Sequence, residues 1–497
     1  MTDPITSVSD HPLLQKSESF LSSRKNSNVL IDILGNFDNV EIIEEPHILA
    51  LQNIFLDVIS KDLLNLNELN EGDPEYKYRK WLIDCYSKAL AKINLVLCFS
   101  SSQIIQIQAL DTLLKLLVME GRLDIDDGGS ASNQSNVSFP EQALNDIVKS
   151  LVTCNKPIGH LTPKLNEYMA FKNFHANLWK SLAVFAKLKN NPSAQTMENV
   201  LTLIDSFPKD KALLPKADYR KKSKPSNEDR ALSMAVKKVW TWSVQHHKPK
   251  MLKQLLITVL EHFIHLLHEP LSLSDFLVDS LNTGGATSLL ALQGIFVLVQ
   301  KHNMDYPNIY AKLYSMTTAT IFTTKYKARF FYLLDLFLTS THLPELLVAA
   351  FVKRLSRLAL VAPPQDILIL LPFIGNLLIR HPGLKKLMNR PTGGSVDTDP
   401  YNMEEKDPTL SQAVDSSLWE VKSLQQHVLP SIAAAANFIN NPLPSVEWDL
   451  STRLDCTAND LFNKERKKKM KTVAVTFERP VSLNVPRCIG FTDFWEL

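Results

Sequence analysis

The sequence predicts an all-α protein, a HEAT-like helical solenoid with disordered or extended N-terminal and C-terminal segments, on three observations. Glycine is scarce, 14 of 497 residues, or about 3% against a usual ~7%. That shortage removes the tight turns of β-rich folds and the loops of Gly-rich nucleotide sites. Apolar residues recur at i, i+3, i+4 and i+7 through most of the chain, and no strand-like alternation precedes about residue 472. A chain of this length buries most of its surface in more than one core.

Taken in order, the Ser-rich stretch 1–45 reads as a partly ordered tail. Helical periodicity then covers 47–66, 75–99, 103–120, 141–153, 165–189, 196–206, 229–246 and 250–268, an N-terminal helical region spanning 46–286. "DIDDGGSASNQSNVSFP" (124–140) and the segment 207–229 break it as loops. Apolar density peaks over 287–381, with helices expected at 287–302, 308–320, 325–340, 344–361, 366–380, 409–428 and 430–440, so 287–441 forms a second helical domain. "NRPTGGSVDTDPYNMEEKDP" (389–408) interrupts it, and 442–497 is a C-terminal extension with a basic run. Helices of 12 to 20 residues joined by short Pro-containing turns suit HEAT-like pairs, although no clean repeat is visible.

The stretch "LPELLVAAFVKRLSRLALVAPP" (343–364) resembles a membrane span in hydropathy. The nine Leu, Val and Phe residues between 346 and 361 return roughly −3 to −5 kcal/mol on insertion, whereas Lys353, Arg354 and Arg357 cost roughly 8 to 10. The charges win, so no stable membrane insertion is expected here or elsewhere in 255–380. The three cations fall within an arc of about 100°, and Val348, Phe351, Val352, Leu355, Leu358, Ala359 and Ala362 line the opposite face. Leu346, Ala350, Leu360 and Val361 return apolar groups to the basic side, which predicts an inner helix with neighbours on both faces. "DILILLPFIGNLLI" (366–379) is shorter than the ~20 residues a span needs, and Pro372 is expected to interrupt it.

A net charge of +2 excludes a global field for nucleic acid. The five cysteines lie far apart without a C-x-x-C pair, which reads as reduced thiols of an intracellular protein. No uninterrupted apolar core marks the first thirty residues as a secretory leader. No Walker, G-x-G-x-x-G or G-x-S-x-G motif occurs, so no catalytic residue and no cofactor is nominated. His262, His265 and His268 in "EHFIHLLHEP" spread around the helix and read as structural rather than as metal ligands. Trp240 and Trp242 lie two apart, so at most one is expected to face a given core.

"YPNIYAKLYSMTTATIFTTKYKARFFYLLDLFLTSTHLPELLVAAFVKRLSRLALVAPPQDILILLPFIGNLLIRHP" (306–382), followed by "DPYNMEEKDPTLSQAVDSSLWEVKSLQQH" (399–427), resembles the CCAAT-binding-factor domain of the nucleolar complex protein family, in its small-subunit branch. The likeness is specific over about 290–440 and continues into "TANDLFNKERKKK" (457–469). It implies a nuclear and nucleolar factor without enzyme activity that pairs with a nucleolar protein 14-like protein. That pair would act in the small-subunit processome, with other processome proteins and pre-rRNA as contacts, in maturation of 18S rRNA and export of pre-40S particles. Where the family has His-Tyr-His-Pro this chain reads His427-Val428-Leu429-Pro430. A HEAT-type nuclear transport adaptor is the second reading.

Three groups of contact residues are nominated. Lys353, Arg354 and Arg357, with Lys325, Lys327 and Arg329, form a basic strip for phosphates or acidic partner segments, unless they pair internally with Glu345, Asp335 or Asp366. Arg466, Lys467, Lys468 and Lys469 form a phosphate-contacting or localisation run. Trp419 anchors a partner surface over 415–439, on a helix capped by Ser416 or Ser417 with Leu418, Val421, Leu424, Gln425 and Val428 as its stripe.

Overall fold

A computed structural model describes residues 12–38, 43–66, 73–126, 139–171, 173–189, 191–208, 227–389 and 399–467, and the described residues contain helices and turns but no strand. The chain divides into two compact units, Met1–Tyr306 and Pro307–Leu497.

In the first unit, α1 (Pro12–Ser22) and α2 (Asn28–Gly35) occupy part of the stretch expected as a tail. They bury Leu13, Phe20, Leu30, Ile33 and Leu34, and α1 packs on α3 (Glu45–Ser60). Pro46 opens α3, and the Glu44 N–H donates to His47 Nδ1 at 3.3 Å. Next come α4 (Pro74–Phe99), α5 (Gln103–Asp126) and α6 (Glu141–Thr153), the last with the bounds its periodicity predicts. The single helix expected over 165–189 is instead α7 (Thr162–Tyr168) and α8 (Phe174–Leu188). The break lets Phe171 and Phe174 both reach Phe139, with ring centroids 6.1 and 5.2 Å away.

Ser193 caps α9 (Ala194–Asp205) by accepting from the Thr196 N–H at 3.1 Å. Then follow α10 (Asn227–His246) and α11 (Leu252–Thr258), which widens into a π-turn over Val259–Phe263 before α12 (Ile264–Leu266). After α13 (Ser274–Asn282), Gly284 and Gly285 at φ +79° and +67° turn the chain into α14 (Gly285–His302), a conformation that costs glycine nothing. The contacts α1 to α3, α3 to α5, α4 to α6, α6 to α8 and α8 to α10 join each helix to the one two further on, which makes a layered stack. Trp240 and Trp242 are both buried. They do not share a core: Trp240 meets Phe263 and Phe276, whereas Trp242 meets Phe185.

The second unit holds α15 (Ile309–Met316), α16 (Lys327–Phe337), α17 (Glu345–Ala359) and α18 (Pro364–Arg380). Prolines 344 and 364 set the starts of α17 and α18, because a missing N–H costs nothing in a first turn. As its amphipathic analysis predicts, α17 is an inner helix, buried from Leu347 to Ser356 and again at Leu358 and Ala359. Beyond that core Leu346, Leu360 and Val361 are exposed, so the second apolar face is narrower than expected. The helix α18 runs through Pro372 instead of stopping there, buried on all sides from Ile369 to Leu378. Among the described residues no helix is long and apolar enough to cross a membrane.

The helix expected over 409–428 does not form. Short 3-10 turns at Pro408–Leu410 and Ala413–Asp415 precede α19 (Trp419–Leu424), which only Leu418 precedes as cap. The cause is competition for backbone groups: the Leu418 N–H donates to the Leu387 carbonyl, and the Ser417 carbonyl is taken by Lys353. Ser416 spends its hydroxyl on Asp399 rather than on a helix start. Of the predicted stripe, Leu418, Val421 and Leu424 are buried, whereas Val428 is 93% exposed at the turn into α20 (Pro430–Ala436). That helix begins at Pro430, as its proline predicts. The chain ends its described part with α21 (Ser451–Leu454) and α22 (Ala458–Lys467).

Candidate functional site

The arc of cations on α17 faces the segment 399–420. Lys353 has a fully buried side chain, and its Nζ lies 2.6 Å from Glu420 Oε1 and 2.9 Å from Asp399 Oδ2 while donating to the Ser417 carbonyl at 2.6 Å. One turn on, Arg357 meets the same two carboxylates at 2.8 and 2.7 Å. Two positive and two negative groups therefore close into a neutral cluster. Arg354, 8% exposed, donates to the carbonyls of Thr317 at 2.7 Å and Met403 at 3.0 Å and lies 4.4 Å over the Tyr314 ring. The Tyr314 and Tyr401 hydroxyls meet at 2.7 Å beside it.

This geometry corrects the expectation of one exposed basic strip at Lys353 and Arg354. Their charges are satisfied inside the fold, and the partners are Asp399, Glu420 and carbonyl groups rather than Glu345, Asp335 or Asp366. Of the alternative partners, Asp366 does take Lys327 of the same set at 2.7 Å, the internal pairing that reading offered, whereas Asp335 takes Arg380 at 2.8 Å. Lys327 is thereby drawn off the strip, whereas Lys325 and Arg329 remain at the surface. Arg466 and Lys467 are exposed at the end of α22; Lys468 and Lys469 lie outside the described residues.

Trp419 covers the cluster. Its Nε1–H donates to Asp399 Oδ2 at 2.8 Å, and its ring lies 4.8 Å from the Arg357 guanidinium carbon and 5.5 Å from Lys353 Nζ. The residue is 36% exposed. One edge is thus fixed by a hydrogen bond and by two cations, and the rest of the indole reaches the surface in a defined rotamer.

Burial alone would raise the Asp399 carboxyl, but hydrogen bonds from Lys353, Ser416, Trp419 and the Tyr401 N–H hold it well below the ordinary carboxylate range. Burial pushes the Glu420 carboxyl upward against the pull of Lys353 and Arg357. Asp399 and Glu420 were not singled out in the sequence, and no local signal marks them. They lie 42 and 63 positions beyond Arg357.

A second missed element ties the C-terminal extension to α18. Asn376 Nδ2 donates to the Trp448 carbonyl and the Trp448 N–H donates to Asn376 Oδ1, each at 2.8 Å. Gly375 makes room for it: a Cβ there would sit 2.3 Å from the Trp448 ring. Arg380 adds an ion pair to Glu447 at 2.6 Å.

His262 does not group with His265 and His268. It is buried in the π-turn with ligand-type atoms of Asp205 and Glu261 within 4.8 Å of one another. Asp205 already accepts from Thr258 at 2.8 Å and Gln254 at 3.1 Å.

Residues 288–436 match the CBF/Mak21 family. The chain is 37% identical over 418 residues to the nucleolar complex protein 4 homolog of Gallus gallus, covering 82% of this chain and 81% of that protein. It is 35% identical to the homolog A of Xenopus laevis, with 93% and 91% covered, and 33% identical to the homolog of Homo sapiens, with 92% and 91% covered. The names of these relatives agree with the nucleolar location implied by the sequence resemblance. Through residues 288–436 and its similarity to these relatives along most of its length, the chain belongs to the CBF/Mak21 family, among the nucleolar complex protein 4 homologues.

Proposed function

We propose that this nucleolar protein is a non-enzymatic ribosome-biogenesis scaffold of the small-subunit processome. In this reading it supports 18S rRNA maturation and pre-40S assembly and export through a complex with a nucleolar protein 14-like partner. Family membership supports the biogenesis role, and the layered helices of the first unit suit a protein that acts by binding rather than by catalysis. The observation that carries the partner contact is Trp419: a half-exposed indole locked by Asp399, Lys353 and Arg357 loses little rotamer freedom on binding. Lys325, Arg329, the exposed edge of Arg357, Arg466 and Lys467 are the surface cations we assign to partner or RNA contact.

The Trp419→Ala variant tests this. Truncating an interface anchor costs roughly 2 to 4 kcal/mol, about 30- to 1000-fold in Kd, so the partner should be lost from a pull-down while helicity holds. A fall of several degrees in Tm with partner binding intact would assign Trp419 to the fold alone.

A further inference from the structure

Apart from Glu228 and Asp229 in the first turn of α10, α8 and α10 carry charge of one sign. Residues 168–197 contain no Asp or Glu, nor do residues 230–260, yet together they hold ten Lys and Arg in a chain whose net charge is only +2. The fold packs the helices of these two stretches against each other. Between them runs a groove of about 470 Å³ whose lining includes Ala183, Ala186, Lys187, Met234, Lys238 and Trp242 and no acidic residue. Met234 is 60% exposed, and Val184 and Leu188, 43% and 74% exposed, stand on the same helix as Lys187. Lys237 pairs with Glu269 at 3.3 Å with both side chains exposed, too weak a pair to neutralise the face.

We propose that this groove docks an acidic, amphipathic helical segment of a protein partner. Its apolar side would lie on Met234 and the alanines, and its carboxylates would reach Lys187, Lys237 and Lys238. From Met234 to Gln245 the α10 face runs about 17 Å at ~1.5 Å per residue, three turns of a docked helix. The alanines admit close approach, and the exposed methionine adapts to the side chains laid against it. Single-stranded RNA fits the face less well. Base stacking needs an open aromatic surface, whereas Trp242 is 5% exposed and its Nε1–H is committed to the Lys189 carbonyl at 2.8 Å. The proposal does not depend on the partner assigned to Trp419, which lies in the other unit.

The test uses the purified full-length chain and three fluorescein-labelled probes read by anisotropy. They are an 18-residue peptide with Leu at i, i+3, i+4 and i+7 and Glu elsewhere, the same peptide with Gln for Glu, and a single-stranded RNA of equal charge. The Glu peptide should bind about tenfold more tightly than the Gln peptide. Both a Lys187→Glu/Lys238→Glu double variant and Met234→Asp should weaken it by about tenfold, with circular dichroism unchanged because these side chains are exposed. Zero-length carbodiimide coupling should join the peptide to Lys187 or Lys238, with the internal Lys237–Glu269 link as control. Glu-peptide binding that is absent, or indifferent to all three substitutions, would overturn the proposal. So would loss of RNA binding alone in the double variant.

Discussion

Lys353→Met removes a fully buried ammonium and leaves Glu420, equally buried, facing only Arg357. Breaking a buried ion pair from one side costs roughly 3 to 5 kcal/mol, because the remaining charge stays desolvated without its partner. For a unit the size of 307–497, at about 2 to 4 °C per kcal/mol, the expected fall in Tm is roughly 6 to 20 °C. Glu420→Met should also destabilise, because it leaves the buried Lys353 with Asp399 as its one remaining carboxylate at 2.9 Å. The double variant Lys353→Met/Glu420→Met removes both charges, keeps much of the volume, and leaves Asp399 paired with Arg357 at 2.7 Å. It should return to within about 1 kcal/mol of the parent, a coupling of several kcal/mol in the double-mutant cycle. The assay is urea and thermal unfolding of the full chain by circular dichroism. A Lys353→Met penalty below about 1 kcal/mol, or a double variant as unstable as the two single variants added together, would refute the neutral-cluster reading.

The remaining expectations follow from the same geometry. Burial, reinforced by His262, lowers His175 to about 4, and its Nε2 accepts from Trp179 Nε1 at 3.1 Å. A histidine kept neutral in the fold stabilises it above the unfolded pKa of about 6.5, and that stability is lost as pH falls toward 4. Denaturation at pH 7 and pH 4 should therefore differ by about 3 kcal/mol in the first unit, with a smaller difference in His175→Gln. Asp399, held low, stabilises the second unit above the ordinary Asp range, so Asp399→Asn should flatten stability measured as pH falls through about 4 toward 2. Gly375→Ala should push Trp448 off α18 and raise proteolysis after residue 441, while unchanged cleavage would contradict the strap. Replacing Arg466, Lys467, Lys468 and Lys469 with Gln should reduce the slope of log K against log salt for RNA by about 0.7 for each phosphate no longer neutralised.

Helices were legible where apolar spacing ran unbroken and no distant group competed for the backbone, as at 141–153 and across α17. The sequence also located the cations of α17 on one arc, because 100° per residue fixes that arc regardless of fold. What it could not supply was the counter-ions. Asp399 comes from a stretch read as a loop and Glu420 from the stretch read as one long helix, and long-range pairing leaves no mark on local spacing. The same limit explains the failed helix at 409–428: its pattern was adequate, but Lys353 and the Leu387 carbonyl took the backbone groups that a helix would use. In the Ser-rich opening, composition concealed α1 and α2, whose burial depends on contact with α3. Trp419 was found from sequence because a Trp beside an Ala-rich helix stands out, but its hydrogen bond to Asp399 was not foreseeable.

Gradient sedimentation of the native chain from nucleolar extract, with RNA sequencing of each fraction and a parallel ribonuclease-treated sample, tests the scaffold reading most directly. The account predicts co-migration with large particles containing 18S rRNA precursors, collapsing to a small complex after digestion. A chain that sediments apart from pre-rRNA, ignores ribonuclease and instead releases its bound proteins on addition of a GTP-loaded small GTPase would contradict it and identify a transport adaptor.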